Sequence, residues 1–133
     1  MDVNEYQKLT AETEIYSDAA DVFLELIGEQ TKNGDFAHNV EKHWLQLAYC
    51  VGKLNGESGE AAEIVFKAFR GDAGRLTTDQ IVKLAYELGD IQWYLARMAD
   101  LLGYTLEQIM EMNIEKLKDR QTRNVLHGYG DER

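Results

Sequence analysis

The chain has no proline, only one cysteine, and no apolar run near the roughly 20 residues that cross a membrane. Lacking proline, it lacks the strongest interruption of helices. With 44% apolar residues set at helical spacing, that absence points to an all-α protein. A lone Cys50 can form no internal disulfide and fits a reducing cytoplasm. It stands in apolar pattern with no nucleophile's partner set, and reads as core. Basic residues are scarce, 14 Lys and Arg against 24 Asp and Glu, for a net charge of −10. Such a surface repels DNA and RNA, although polyphosphate can still bind if cations screen the carboxylates. Met1 to Tyr6 show no basic or apolar signal region, so the expectation is a cytoplasmic protein with no membrane partner. Neither G-x-x-x-x-G-K-[ST] nor G-x-G-x-x-G occurs, which excludes a P-loop or dinucleotide fold. No internal repeat or low-complexity segment appears, and 133 residues suit one domain with an ordinary core.

Two short acidic groups dominate what is present: Gly56-Glu57-Ser58-Gly59-Glu60-Ala61-Ala62-Glu63 and Glu87-Leu88-Gly89-Asp90. Each holds a carboxylate pair at i, i+3, on one helical face. Like charges at that spacing destabilise a helix by a few tenths of a kcal/mol. Gly56, Gly59 and Gly89 add roughly 1 kcal/mol each against Ala. A bound cation would compensate both costs. Register sharpens the case. The midpoint between the groups falls between Ala73 and Gly74, within the glycine-rich Arg70-Gly71-Asp72-Ala73-Gly74. Folded there as an antiparallel hairpin, Glu57 meets Asp90 and Glu60 meets Glu87. Four carboxylates without His or Cys form an all-oxygen site suited to Mg²⁺, or Mn²⁺ in its place.

The spacing predicts a first helix from Asp2 to about Thr13, packing Tyr6, Leu9 and Ala11, and a second from Ile15 to about Ile27, carrying Ala19, Val22, Phe23, Leu24 and Ile27. Thr31-Lys32-Asn33-Gly34-Asp35 breaks the pattern. A long helix follows from about Val40 to Phe69, with an apolar stripe of Trp44, Leu47, Val51, Leu54, Ala61, Val65 and Ala68. Glu57 and Glu60 flank that stripe, beside Lys53 and Ile64. Thr77-Thr78-Asp79-Gln80 is a capping box that opens the next helix. Its seam of Ile81, Leu84, Leu88, Ile91, Leu95, Met98 and Leu102 is coiled-coil-like, with Glu87, Asp90 and Tyr94 to one side. Gly103 reads as a C-terminal cap. A second capping box, Thr105-Leu106-Glu107-Gln108, opens a helix to about Thr122 with Leu106, Ile109, Met110 and Leu117 inward. Asn113, Lys116 and Arg120 share one face of it. The glycine-bearing tail from Leu126 to Arg133 is not expected to be helical; it is either disordered or drawn over a ligand.

Other side chains have plainer readings. His38, Glu41 and His43 match neither H-E-x-x-H nor a zinc finger and read as surface or loop. Trp44 and Trp93 are expected to pack between helices rather than stack on a base, whereas Tyr94, one turn beyond Asp90, is a candidate ligand contact.

These residues resemble the MazG-like all-α nucleoside triphosphate pyrophosphohydrolases, a superfamily with the dimeric dUTPases, dCTP pyrophosphatases and phosphoribosyl-ATP pyrophosphohydrolases. The family's E-x-x-E, gap, E-x-x-D appears as Glu57-x-x-Glu60 and Glu87-x-x-Asp90, with similar flanks from Asn55 to Glu63 and from Glu87 to Leu95. Asn113-Ile114-Glu115-Lys116-Leu117 followed by Arg120 resembles the distal motif. His127-Gly128-Tyr129-Gly130-Asp131-Glu132-Arg133 is similar to the H-G-S-G-D-N-R ending of small bacterial and phage members. The resemblance runs from about residue 41 to 133, with Glu5-Tyr6-Gln7 a weaker match. Gly56 stands where many members carry another Glu, Tyr129 and Glu132 depart from the usual tail, and Ser17 to Gly34 has no counterpart.

The resemblance implies a single MazG-like domain over 1–133, with a helical core at 38–122 and a tail at 123–133. It further implies a helical bundle around the hairpin, assembled as a homodimer or homotetramer. It implies Mg²⁺-dependent hydrolysis of a (deoxy)nucleoside triphosphate to monophosphate and pyrophosphate, in the cytoplasm of a bacterial or phage-infected cell. Glu57, Glu60, Glu87 and Asp90 would hold metal. Asn113 would position the triphosphate or a water, Lys116 and Arg120 would stabilise phosphate charge, and Arg123, His127 and Arg133 would close over the nucleotide. Phosphoribosyl-ATP hydrolysis and a non-catalytic dimerisation module are the alternatives. A di-iron bundle needs Glu-x-x-His, which the chain lacks.

Overall fold

The computed structural model describes residues 1–27, 35–71, 74–123 and 125. They form helices α1 (Val3–Ala11), α2 (Tyr16–Ile27), α3 (Asp35–Gly71), α4 (Thr78–Leu101) and α5 (Leu106–Thr122), with no strand among them. The all-α expectation is met, and three helix starts carry a side-chain cap that local chemistry supplies. The Asp2 carboxylate accepts from Asn4 and Glu5 N–H, and the Glu5 side chain reaches back, completing a capping box for α1. Both expected boxes are present: Thr77 with Gln80 at α4, and Thr105 with Gln108 at α5. α4 ends as anticipated, with Gly103 at φ 76° and the Tyr104 N–H returning to the Ala99 carbonyl at 2.9 Å. A residue with Cβ would be strained there. α3 starts at Asp35, earlier than the period suggested, and runs 37 residues; the Thr31–Gly34 break lies outside the described residues.

α3 and α4 make the largest helix contact and form the hairpin. Asp72 and Ala73, at its turn, lie outside the described residues; Gly74 follows at φ 74°. α2 packs on α3, α1 on α4, and α5 touches α1 and α4 but not α3. A small core joins Ala96 and Ala99 of α4 to Leu106 of α5, with Tyr6 of α1 packed against it. Cys50 is fully buried, as expected.

Several residues expected inward lie outward. Trp44, Val51 and Val65 on α3 are exposed, as are Ile81, Leu88 and Leu95 on α4 and Leu102 at its C-cap, while Leu84, Ile91 and Met98 are half-buried. Trp44 therefore does not pack between helices of its own chain. Ile109, Met110 and Leu117 on α5 are exposed too, leaving Leu106 as the inward residue of that set. On α2, Val22 and Phe23 face out and Ala20 and Leu24 face in. A regular stripe fixes which residues share a face, not what covers it.

In α1, Leu9 and Ala11 are exposed and the buried positions are Gln7 and Thr10. The Gln7 side-chain amide donates to Asp100 and to the Tyr104 carbonyl (2.9 Å), and its oxygen accepts from the Leu106 N–H at 2.7 Å. One amide thereby fastens α1 to the α4–α5 turn and satisfies a helix-start donor that would be orphaned. Gln7→Ala should lower unfolding free energy by about 1–3 kcal/mol, the cost of unsatisfied buried groups, read by chemical denaturation.

Candidate active site

The hairpin brings together carboxylates far apart in sequence. Oxygens of Glu57, Glu87 and Asp90 lie within 4.8 Å of one another. Glu57 is the most enclosed, 9% exposed, whereas Asp90 is open to solvent. Glu60 is outside this tightest group but close to Glu87. The Glu87 carboxyl is held above the usual carboxylate range by desolvation first, then by the charges of Glu60, Asp90 and Glu57. That mutual repulsion is what a divalent cation relieves, and the all-oxygen donor set fits a hard ion such as Mg²⁺ or Mn²⁺. Within the cluster, Glu57 pairs with the Lys53 ammonium at 2.9 Å.

Glu57 and Asp90 also line a cavity of about 360 Å³ walled by Thr13, Ile15, Tyr16, Tyr49, Trp93 and Tyr94. Small-molecule pockets commonly begin near this size. Its rings brace one another: Trp93 stands edge-on to Tyr94 at 4.9 Å and to Tyr16 at 6.3 Å, and Tyr16 lies 5.5 Å from Tyr49. The Trp93 indole N–H donates to the Thr13 hydroxyl at 2.8 Å, tying α4 to the α1–α2 turn. Burial pushes the Tyr94 phenol up, and Lys53 sits 6.0 Å from the centre of that ring. Trp93 thus packs against other rings, as expected, but also faces the cavity. Tyr94, read as a ligand contact, lines the cavity alongside two of the acids.

The remaining candidates are not gathered here. Asn113 and Lys116 are exposed on α5, Arg120 is buried, and α5 does not meet α3. Arg123 is paired with Asp119 at 2.7 Å, one helical turn back. His127 and Arg133 lie outside the described residues, as do the His38 and Glu41 side chains. His43 is exposed. Sequence reasoning missed Thr13, Ile15, Tyr16 and Tyr49, which carry no motif, and gave Lys53 no role. The i, i+4 spacing of Lys53 to Glu57 was the available signal for that lysine.

Fold and site together define an all-helical protein whose central hairpin sets a carboxylate cluster, able to hold a divalent metal, against a ring-lined cavity. The comparison with known families agrees: residues 48–125 match the MazG nucleotide pyrophosphohydrolase domain, and the chain belongs to that family. It is also similar to the Gene 37 protein of Mycobacterium phage L5, 39% identical over 87 residues, 65% of this chain and 76% of the phage protein. No solved structure matches the chain. Among the described residues, no helix is long and apolar enough to cross a membrane.

Proposed function

We propose that this protein hydrolyses a (deoxy)nucleoside triphosphate to the monophosphate and pyrophosphate with Mg²⁺, in the cytoplasm of a bacterial or phage-infected cell. The observation that carries this reading is the meeting of Glu57, Glu87 and Asp90 oxygens, two of these acids, Glu57 and Asp90, lining an aromatic cavity. Glu57, Glu60, Glu87 and Asp90 hold the metal. Bound there, a divalent ion neutralises phosphate charge and lowers the pKa of an attacking water. Trp93, Tyr94 and Tyr49 offer ring faces to a base, each such stack being worth about 1–3 kcal/mol in other proteins. Base and sugar selectivity belong to this cavity.

The reading includes a second copy of the chain. Outward apolar residues of α3 and α4 need a cover, and a homodimer, or a tetramer made from two, supplies one. Asn113, Lys116 and Arg120 then act on the triphosphate as the assembly brings α5 to an acid cluster, with Arg123, His127 and Arg133 closing over the nucleotide.

The test is pyrophosphate release with Mg²⁺ from each canonical and several modified (d)NTPs, with phosphoribosyl-ATP alongside. At least one nucleoside triphosphate should be cleaved, and chelation should abolish turnover. Trp93→Ala should raise KM for that substrate roughly tenfold because the base loses a stacking ring. Hydrolysis that persists in excess chelator would contradict the metal assignment.

A further inference from the structure

The acid cluster opens on two sides, and the two sides differ chemically. On one side, Glu57 and Asp90 face the ring-lined cavity. On the other, Glu60 and Glu87 line a groove of about 500 Å³ that has no aromatic ring among its described lining residues and carries Lys67 from α3 and Lys83 from α4. Gly56 and Gly59 also border it, and nothing lies within 4 Å of where their Cβ atoms would stand, so this stretch of wall is clear for a ligand. Among the described residues, the lysines are held by one-turn surface pairs: Lys67 to Glu63 at 3.3 Å and Lys83 to Asp79 at 2.8 Å, each lysine side chain more than half exposed. Such exposed pairs are weak and screened by solvent, so either ammonium can exchange its partner for a polyanion.

We infer that this groove is the pyrophosphate subsite, with Lys67 and Lys83 gripping the terminal phosphates. The inference rests on the nucleotide-hydrolysis reading and adds a direction to it. The base lies at the Tyr49 and Trp93 end, the scissile bond crosses the carboxylates, and the β- and γ-phosphates extend toward the hairpin turn. Water adds to phosphorus, the bridging P–O bond breaks with its electron pair on the leaving pyrophosphate, and the water's proton passes to solvent. Because Glu60, Glu63 and Glu87 share the groove with the lysines, pyrophosphate binds only when divalent cation has offset the carboxylates. Two phosphates beyond the first reach both lysines, which makes triphosphates better substrates than diphosphates.

The test is calorimetric titration of the full chain with inorganic pyrophosphate in the presence and absence of Mg²⁺. It is run on the wild type, a Lys67→Gln/Lys83→Gln double variant, Tyr49→Ala, and Lys118→Gln as a control for general charge. Without the two charge-assisted lysine hydrogen bonds, the double variant should bind pyrophosphate on the order of a hundredfold more weakly. Its Mg²⁺-induced thermal shift should be unchanged, and its preference for triphosphate over diphosphate should fall in step. Tyr49→Ala and Lys118→Gln should bind pyrophosphate as the wild type does. Wild-type affinity in the double variant, or an equal loss in Tyr49→Ala or Lys118→Gln, overturns the subsite while leaving hydrolysis standing. A wild type that neither binds Mg²⁺ nor cleaves any nucleoside triphosphate overturns both readings.

Discussion

Replacing Glu57 and Asp90 together with Ala should lower hydrolysis by at least about a thousandfold, the scale on which loss of preorganised charge stabilisation acts in enzymes. These two residues come from different helices and lie together on the cavity side of the cluster. Their removal takes away two of the three acids whose oxygens lie within 4.8 Å of one another, and the two that remain nearby, Glu60 and Glu87, are a poorer cage for a hard ion. The folded state should survive. Removing Glu57 ends its pairing with Lys53 but also ends repulsion toward Glu87, two effects of opposite sign, so metal-free stability should change little. What should vanish is the extra stability that Mg²⁺ confers, since an ion binding only the native state raises its stability by mass action. A non-catalytic interaction module gives the opposite pattern: no Mg²⁺ shift in the wild type, and a neutral or stabilising effect of removing an acid. Turnover near the wild-type level in the double variant would rule out the metal site.

The second large effect concerns the outward face of the hairpin. Val51 and Val65 on α3, and Ile81, Leu88 and Leu95 on α4 with Leu102 at its C-cap, are all 40% or more exposed. On each helix these positions recur at steps of seven or fourteen residues, the spacing of a seam meant for another helix. Leu88 lies within the α4 row, between the metal candidates Glu87 and Asp90. In a two-fold dimer, one substitution alters the interface twice. Leu88→Glu places two carboxylates in apolar contact and forfeits two leucine burials, together about 3–6 kcal/mol. Sedimentation should show the wild type as a dimer or tetramer at micromolar concentration and the variant as monomer, with activity falling alongside. A monomeric wild type that is fully active would show that the second copy is unnecessary.

Much of this was legible in the sequence because it rests on short-range chemistry. Thr77 with Gln80 and Thr105 with Gln108 mark helix starts through local bonds, and Gly103 marks an end through its backbone freedom. The meeting of Glu57 with Asp90 followed from counting residues about a turn. The inward or outward sense of the stripes was not legible, because Leu88 and Leu84 are equally apolar and only the assembled surroundings distinguish them. Gln7 reads as an ordinary surface residue until α1 meets the α4–α5 turn and its amide finds partners there. The cavity wall from Thr13 to Tyr16 was hidden for the same reason: it forms where a helix junction settles over Trp93, a contact no periodicity encodes.

The most direct measurement is anomalous diffraction from crystals grown with Mn²⁺. The expected result is a peak enclosed by Glu57, Glu87 and Asp90, at about 2 Å from their oxygens, with any second ion on the Glu60 side. Well-ordered crystals in saturating Mn²⁺ with no peak among those carboxylates would contradict the metal site and the hydrolysis built on it.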